Sequence, residues 1–323
     1  MQRLTYPVLD AGVQASCPLL KSGELYKIYH GDTIPHLYEM PKHSVDMAIC
    51  SPPFPAIFSY TSSQQDIGNS ENLAGDGKLH LSFWFNAMRR VIKPGRVFLV
   101  HCWQIPNMKR VGGRGLIDFR GLLIRLGKRA GFDYEYDWMI SHNPQMQALR
   151  TRSRELQFAG LESDRARSRG ELADYIIKFM QPGENQVKLC SKGQVSRNDW
   201  IAWAESSWRD IRPTDTLNVR EGKGKDDTRH ICALQLDLIT RYIRLFSDPG
   251  EIVFDPFAGI GSVPYCALRL GRRSYGSELK DEYHTAAVKN CERALKSKGF
   301  MSEQRFFNGN GNGISNRILL VKK

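Results

Sequence analysis

The chain has 323 residues, enough for one large α/β domain or for such a domain with a smaller partner. Its 41% hydrophobic and 25% charged content is ordinary for a globular protein, and no run approaches the roughly 18 apolar residues that span a bilayer, which excludes a helical membrane protein. The formal charge is +12, and between Arg89 and Gly170 17 Lys/Arg face 7 Asp/Glu. Such a balance suits a polyanion, whose condensed counterions are released as phosphates are neutralised, and it equally suits a solvated basic face.

The first residues lack the pattern of a signal peptide, so a cytoplasmic protein is expected. Residues 24–31 read as a strand ending at Gly31-Asp32, and 44–50 as a second strand halted by Pro52 and Pro53. The polar stretch 55–78 has the chemistry of a functional or mobile loop. A helix over 79–92, a turn at Pro94-Gly95, a buried strand over 96–101, a helix over 115–130 closed by Gly131 and a strand over 133–140 follow. Residues 141–170 are polar, and Arg150, Arg152, Arg154, Arg165, Arg167 and Arg169 are the best candidates for contact with a phosphate backbone. A return strand is expected over 174–179. Trp200, Trp203 and Trp208 can read a nucleic acid or fill a small core, and the shared helical face of Trp200 and Trp203 favours core. A helix over 231–245, a strand over 251–254, a glycine turn, a helix over 262–270 and a strand ending at Glu278 complete the body, before a flexible tail.

Seven cysteines lie far apart without a CxxC pair and read as reduced small hydrophobes. No His, Cys or carboxylate cluster has ligand spacing, so no metal is expected, and His101 and His142 read as structural. Alternating strands and helices imply a doubly wound, mostly parallel, Rossmann-like sheet covered on both faces. Ligands of such sheets sit beyond the carboxyl ends of the strands, which places Asp32, Ser51, Asp255 and Glu278 on one rim.

Two motifs on that rim carry chemistry. Asp255-Pro256-Phe257-Ala258-Gly259-Ile260-Gly261 is a strand end running into a glycine turn, with Glu278 ending the next strand 23 residues after Asp255, where an acid can accept hydrogen bonds from two ribose hydroxyls. Pro264 stands where a dinucleotide fingerprint has its third glycine. S-adenosylmethionine, which has no phosphate and carries sulfonium and ammonium charges, suits Asp255 better. Ser51-Pro52-Pro53-Phe54 forms a rigid turn of acceptors: the Ser51 hydroxyl and Pro52 carbonyl can hold the two N–H groups of an exocyclic amine, and Phe54 can stack on a flipped base.

With these motifs in this order, the chain resembles the β class of DNA amino-methyltransferases, over Gly31-Asp32, 45–54, 90–96, 174–179 and 230–283. Within that class it looks closest to phage and prophage modification enzymes. The resemblance implies Asp32 against the cofactor adenine, the region around His230 against its methionine end, and Glu278 on the ribose. It also implies two core halves over 1–140 and 230–304, a DNA-binding insertion with one core strand over 141–229, and a tail over 305–323. Ala-Gly-Ile-Gly and Gly-Ser-Glu-Leu depart from the usual family wording. Double-stranded DNA is the implied partner, with a homodimer and a cognate restriction nuclease open. Ser-Pro-Pro-aromatic favours cytosine N4 over adenine N6, and an RNA amino-methyltransferase is the nearest rival. A nicotinamide oxidoreductase would leave Ser51 to Phe54 idle, and a non-enzymatic binding module would leave the cofactor motif idle.

Overall fold

The computed structural model describes residues 23–55, 61, 63–70, 75–107, 115–151, 158–167, 169–190, 192–218 and 233–296. In chain order its elements are β1 (Tyr26–His30), α1 (Thr33–Glu39), β2 (Val45–Cys50), α2 (Asp76–Val91), β3 (Ile92–Trp103), β4 (Ile105–Pro106) and β5 (Leu116–Ile117). Then come α3 (Phe119–Ala130), β6 (Asp133–Ile140), α4 (Pro144–Thr151), α5 (Phe158–Glu162), β7 (Asp174–Met180), α6 (Arg197–Trp203) and β8 (Ser207–Trp208). The last are α7 (Leu236–Phe246), β9 (Ile252–Asp255), α8 (Ser262–Arg269), β10 (Arg273–Glu278) and α9 (Asp281–Lys296).

Eight strands form one sheet in the order β1-β10-β9-β2-β3-β7-β6-β8. Neighbours are parallel except where β7 runs against both β3 and β6. All six residues of β2 are buried, as a strand covered on both faces requires. Val45, Ala48 and Cys50 join one core cluster with α2 and α3, while Met47 and Ile49 join the other with α7 and α8. Helix α2 buries Leu81, Trp84, Phe85 and Met88 at helical spacing, and each such burial contributes about 1.5–3 kcal/mol. Asp46, the polar residue of β2, accepts from Ile252 N at 2.9 Å and pairs with Lys93, while Arg96 pairs with Glu251. These ties secure the edge of the sheet opposite the carboxyl ends.

Three expectations need correction. The Pro94-Gly95 turn lies inside the span of β3, where the register against β2 shifts and Gly95 has φ 68°. A short strand, β5, precedes α3, because the Asp118 carboxylate caps the helix on Gly121 N at 2.8 Å and so starts it later. Among the tryptophans, Trp208 is core and Trp203 packs against the same cluster, but Trp200 is 62% exposed. Helix α6 is anchored at its end, where Trp138 Nε1 donates to the Trp203 carbonyl at 3.2 Å, and that contact leaves Trp200 turned to solvent. Among the described residues no helix is long and apolar enough to cross a membrane.

Candidate active site

A cleft of about 1060 Å³, open solvent included, lies over the carboxyl ends of β1, β2, β9 and β10. It straddles the β9–β2 junction, where the chain's connections leave the sheet in opposite directions, the place where doubly wound sheets bind ligands. Asp32, Ser51, Pro53, Phe54, Asp255, Pro256, Phe257, Gly259 and Glu278 all line it, so residues from both motifs share one cavity.

The two glycines of the turn differ in what they permit. At Gly261 (φ 86°) a Cβ would stand 2.9 Å from Ala287 Cα, so this glycine lets α8 pack on α9. At Gly259 (φ 54°) a Cβ would meet nothing within 4 Å; its amide instead donates to Glu278 Oε2 at 2.8 Å, leaving the backbone bare towards the cleft. Glu278 Oε1 accepts from Lys280 N at 2.9 Å, and Asp255 Oδ1 accepts from Phe257 N at 3.0 Å. Asp32 caps α1 through Ile34 N at 3.0 Å.

A further acid reaches the cleft. Asp66 is 4% exposed and accepts from Gly68 N at 2.9 Å and Thr61 N at 2.8 Å. It lies in the polar loop between β2 and α2, whose composition marks a functional stretch without singling out any residue. Burial pushes the Asp255 carboxyl up to about 8, with the amide of Phe257 opposing and Glu278 adding. Burial likewise pushes Glu278 up to about 7, against the amides of Lys280 and Gly259 and helped by Asp66. Asp32 is raised by burial too. Four carboxyls lining one cavity, when ionised, repel a pyrophosphate and attract a cationic ligand of nucleoside size.

On the other side of the cleft, Ser51 Oγ lies 3.0 Å from His101 Nδ1. His101 Nε2 lies 3.2 Å from Asp174 Oδ2, and His142 Nε2 approaches the same oxygen at 2.9 Å. His101, expected to be structural, therefore touches the base motif. Because β7 is reversed, its first residue shares the rim with the last residues of β3 and β6. Phe54 is 4% exposed, its ring set against Trp103 and Phe119, and it contributes to the cleft lining.

Comparison with known proteins gives the family. A family model described as DNA methylase (N6_N4_Mtase) matches residues 45–289. The chain belongs to the N6/N4 DNA methylase family. This methylase is 26% identical to the Type II methyltransferase M.BglII of Bacillus subtilis over 280 residues, covering 80% of this chain and 67% of the relative. It is 26% identical to the Type II methyltransferase M.BamHI of Bacillus amyloliquefaciens over 290 residues, covering 87% and 61%. Among solved structures it is similar to a DNA modification methylase of Thermus thermophilus, TTHA0409, complexed with S-adenosyl-L-methionine, with TM-score 0.62 and 20% identity over 84% of this chain and 95% of that one. It is also similar to the cytosine-N4-specific PvuII DNA methyltransferase, with TM-score 0.58 and 18% identity over 84% and 90%. At these identities the likeness is one of fold.

Some expected site residues fall elsewhere. His230, Arg152 and Arg154 lie outside the described residues of the methylase, but Ala233 and Leu234, just beyond His230, line the cleft. Arg150 is on α4, Arg165 and Arg167 share one short turn, and the exposed Arg165 and half-buried Arg169 are not among the residues that line the cleft. On the surface, His30, Asp281 and His284 bring ligand-type atoms within 4.8 Å of one another, a grouping made by the β1–β10 pairing that sequence spacing does not announce. The two imidazoles stack, and His284 Nε2 is engaged by the Ile28 carbonyl at 3.0 Å.

Proposed function

We propose that this methylase transfers a methyl group from S-adenosylmethionine to the exocyclic amino group of a base flipped out of duplex DNA, with cytosine N4 as the target. The observation that carries the reading is Ser51 at the edge of a carboxyl-lined cleft, its hydroxyl engaged by His101 Nδ1. When bound, the cofactor supplies an electrophilic methyl group on a sulfonium. The fit rests on Asp255, Glu278 and Asp66 for its charge and ribose, on the bare Gly259 backbone for close approach, and on Asp32 for the adenine side.

The protein's contribution is placement. Ser51 Oγ and the Pro52 carbonyl accept the two amine hydrogens, drawing the nitrogen lone pair out of ring conjugation and towards the donor. The prolines keep the turn from relaxing. Phe54 offers its cleft side to the base, which offsets part of the unstacking cost of flipping. Arg150, Arg152, Arg154, Arg165, Arg167 and Arg169 bind the DNA backbone in this reading, which their charge supports. The serine in place of an anionic aspartate favours cytosine, in line with the family pattern.

Plasmid incubated with the protein and cofactor, digested to nucleosides and analysed by mass spectrometry, is expected to yield N4-methyldeoxycytidine. N6-methyldeoxyadenosine instead would change the base and keep the mechanism; neither product from any DNA tested would sink the reading.

Cofactor affinity is also expected to depend on pH. With Asp255 titrating near 8 and Glu278 near 7, both acids hold protons part of the time at neutral pH. A bound cation favours the ionised forms, so binding expels protons and weakens as pH falls through 8 and then 7, approaching tenfold in Kd per pH unit for each proton expelled. Calorimetry between pH 6 and 9 reads this directly, and the demethylated cofactor, lacking the sulfonium charge, should show a shallower slope. A Kd for S-adenosylmethionine that is flat over this range would contradict the assignment.

A further inference from the structure

We propose that His101, oriented by Asp174 and His142, takes up through Ser51 the proton that the target amine must release. The inference rests on the amino-methyltransferase reading above. Its basis is a part-buried chain of four polar side chains that begins at the cleft, one hydrogen bond followed by two ion-pair contacts: Ser51 Oγ to His101 Nδ1 at 3.0 Å, His101 Nε2 to Asp174 Oδ2 at 3.2 Å, and the same oxygen to His142 Nε2 at 2.9 Å. The side chains of His101, Asp174 and His142 are 11%, 15% and 5% exposed.

The protonation pattern follows from electrostatics. Burial alone would raise the Asp174 carboxyl, but the two imidazoles outweigh it and hold the acid well below the usual carboxylate range. Asp174 is therefore ionised, and its oxygen 3.2 Å from His101 Nε2, an ion-pair contact without hydrogen-bond alignment, favours the imidazole tautomer with its proton on that nitrogen. Nδ1 is then a bare lone pair. The Ser51 hydroxyl donates to it, which leaves the serine's own lone pairs for the amine hydrogen.

Methylation makes a proton surplus at this spot. The amine nitrogen forms its bond to the methyl carbon, while the electron pair of the broken carbon–sulfur bond stays on sulfur and neutralises the sulfonium. One N–H bond breaks: its proton passes to Ser51 Oγ as the serine proton passes to His101 Nδ1. The imidazolium so formed is stabilised by the adjacent Asp174 carboxylate, and it returns the proton to water when the product base leaves. His101 acts through Ser51; Asp174 and His142 are positioning residues, the second imidazole fixing the carboxylate that fixes the first.

Two measurements test this. In full-length protein with 15N-labelled histidine and no ligand, His101 should carry its proton on Nε2 with Nδ1 bare, and Asp174→Asn should abolish that preference. In single-turnover methylation of DNA at saturating cofactor, His101→Asn, whose amide can still hold Ser51 but cannot accept a proton, should lose about 100-fold in rate. Cofactor Kd and the KM for DNA should stay unchanged, and adding Asp174→Asn to His101→Asn should cost little more, since both cut one relay. A proton on Nδ1 in the free protein, a His101→Asn rate within threefold of wild type, or a loss confined to KM would overturn the proposal. If His101→Asn does not fold, the tautomer measured in the wild-type protein decides. Wild-type protein that methylates no DNA refutes the functional reading itself; active wild type with an undiminished His101→Asn variant refutes only the relay.

Discussion

Ser51→Ala is expected to lower the single-turnover rate of methyl transfer by about 10²- to 10³-fold while cofactor Kd stays within twofold of wild type. The alanine removes the oxygen that accepts the amine hydrogen and with it the contact to His101 Nδ1 at 3.0 Å. Loss of one preorganised polar contact at a reacting centre typically costs about 2.7–4 kcal/mol of transition-state stabilisation. Ser51 is only partly buried and small, so the fold should not change, and circular dichroism should confirm it. A variant that retains full activity would remove the base motif from the mechanism.

Asp255→Ala should weaken S-adenosylmethionine binding by about 100-fold in calorimetry, since hydrogen bonds to a charged group contribute about 1.5–3 kcal/mol each and tenfold in Kd is about 1.4 kcal/mol. The effect on the free protein has the opposite sign. The Asp255 carboxyl titrates near 8 in the fold against 3.8 for the unperturbed group, so between these values the folded state binds more protons and loses stability as pH rises. The variant lacks that liability, so its Tm at pH 8 should equal or exceed the wild-type value. Undiminished cofactor affinity, or a Tm well below wild type at pH 8, would contradict this account.

Both motifs were legible because each is local: β2 runs straight into Ser51-Pro52-Pro53-Phe54, and β9 runs into its glycine turn within seven residues. The hydrophobic runs and turn residues also marked most elements to within a few positions, with the strand over 133–140 placed as it is in β6. Helices α1 and α9 went unread, and at the site itself what escaped is mostly non-local. His101 meets Ser51 across 50 positions, and Asp174 meets both histidines only because β7 lies reversed between β3 and β6. Asp66 hid in a loop whose composition is polar throughout, and nothing local distinguishes it from its neighbours. Trp200 was misjudged because a shared helical face says nothing about how much of a two-turn helix the body covers.

The contact between His142 and Asp174 also closes a ring of chain. Residues 143–173 depart just past β6 and return at the start of β7, and the two side chains that flank this excursion meet at 2.9 Å. With the stem pinned, the entropy of closing the excursion varies only logarithmically with its length, about 0.6 kcal/mol for each doubling. A change in the segment's length therefore alters the closure entropy little. The two flanking residues are more constrained, because they are shared with the chain of contacts that reaches Ser51.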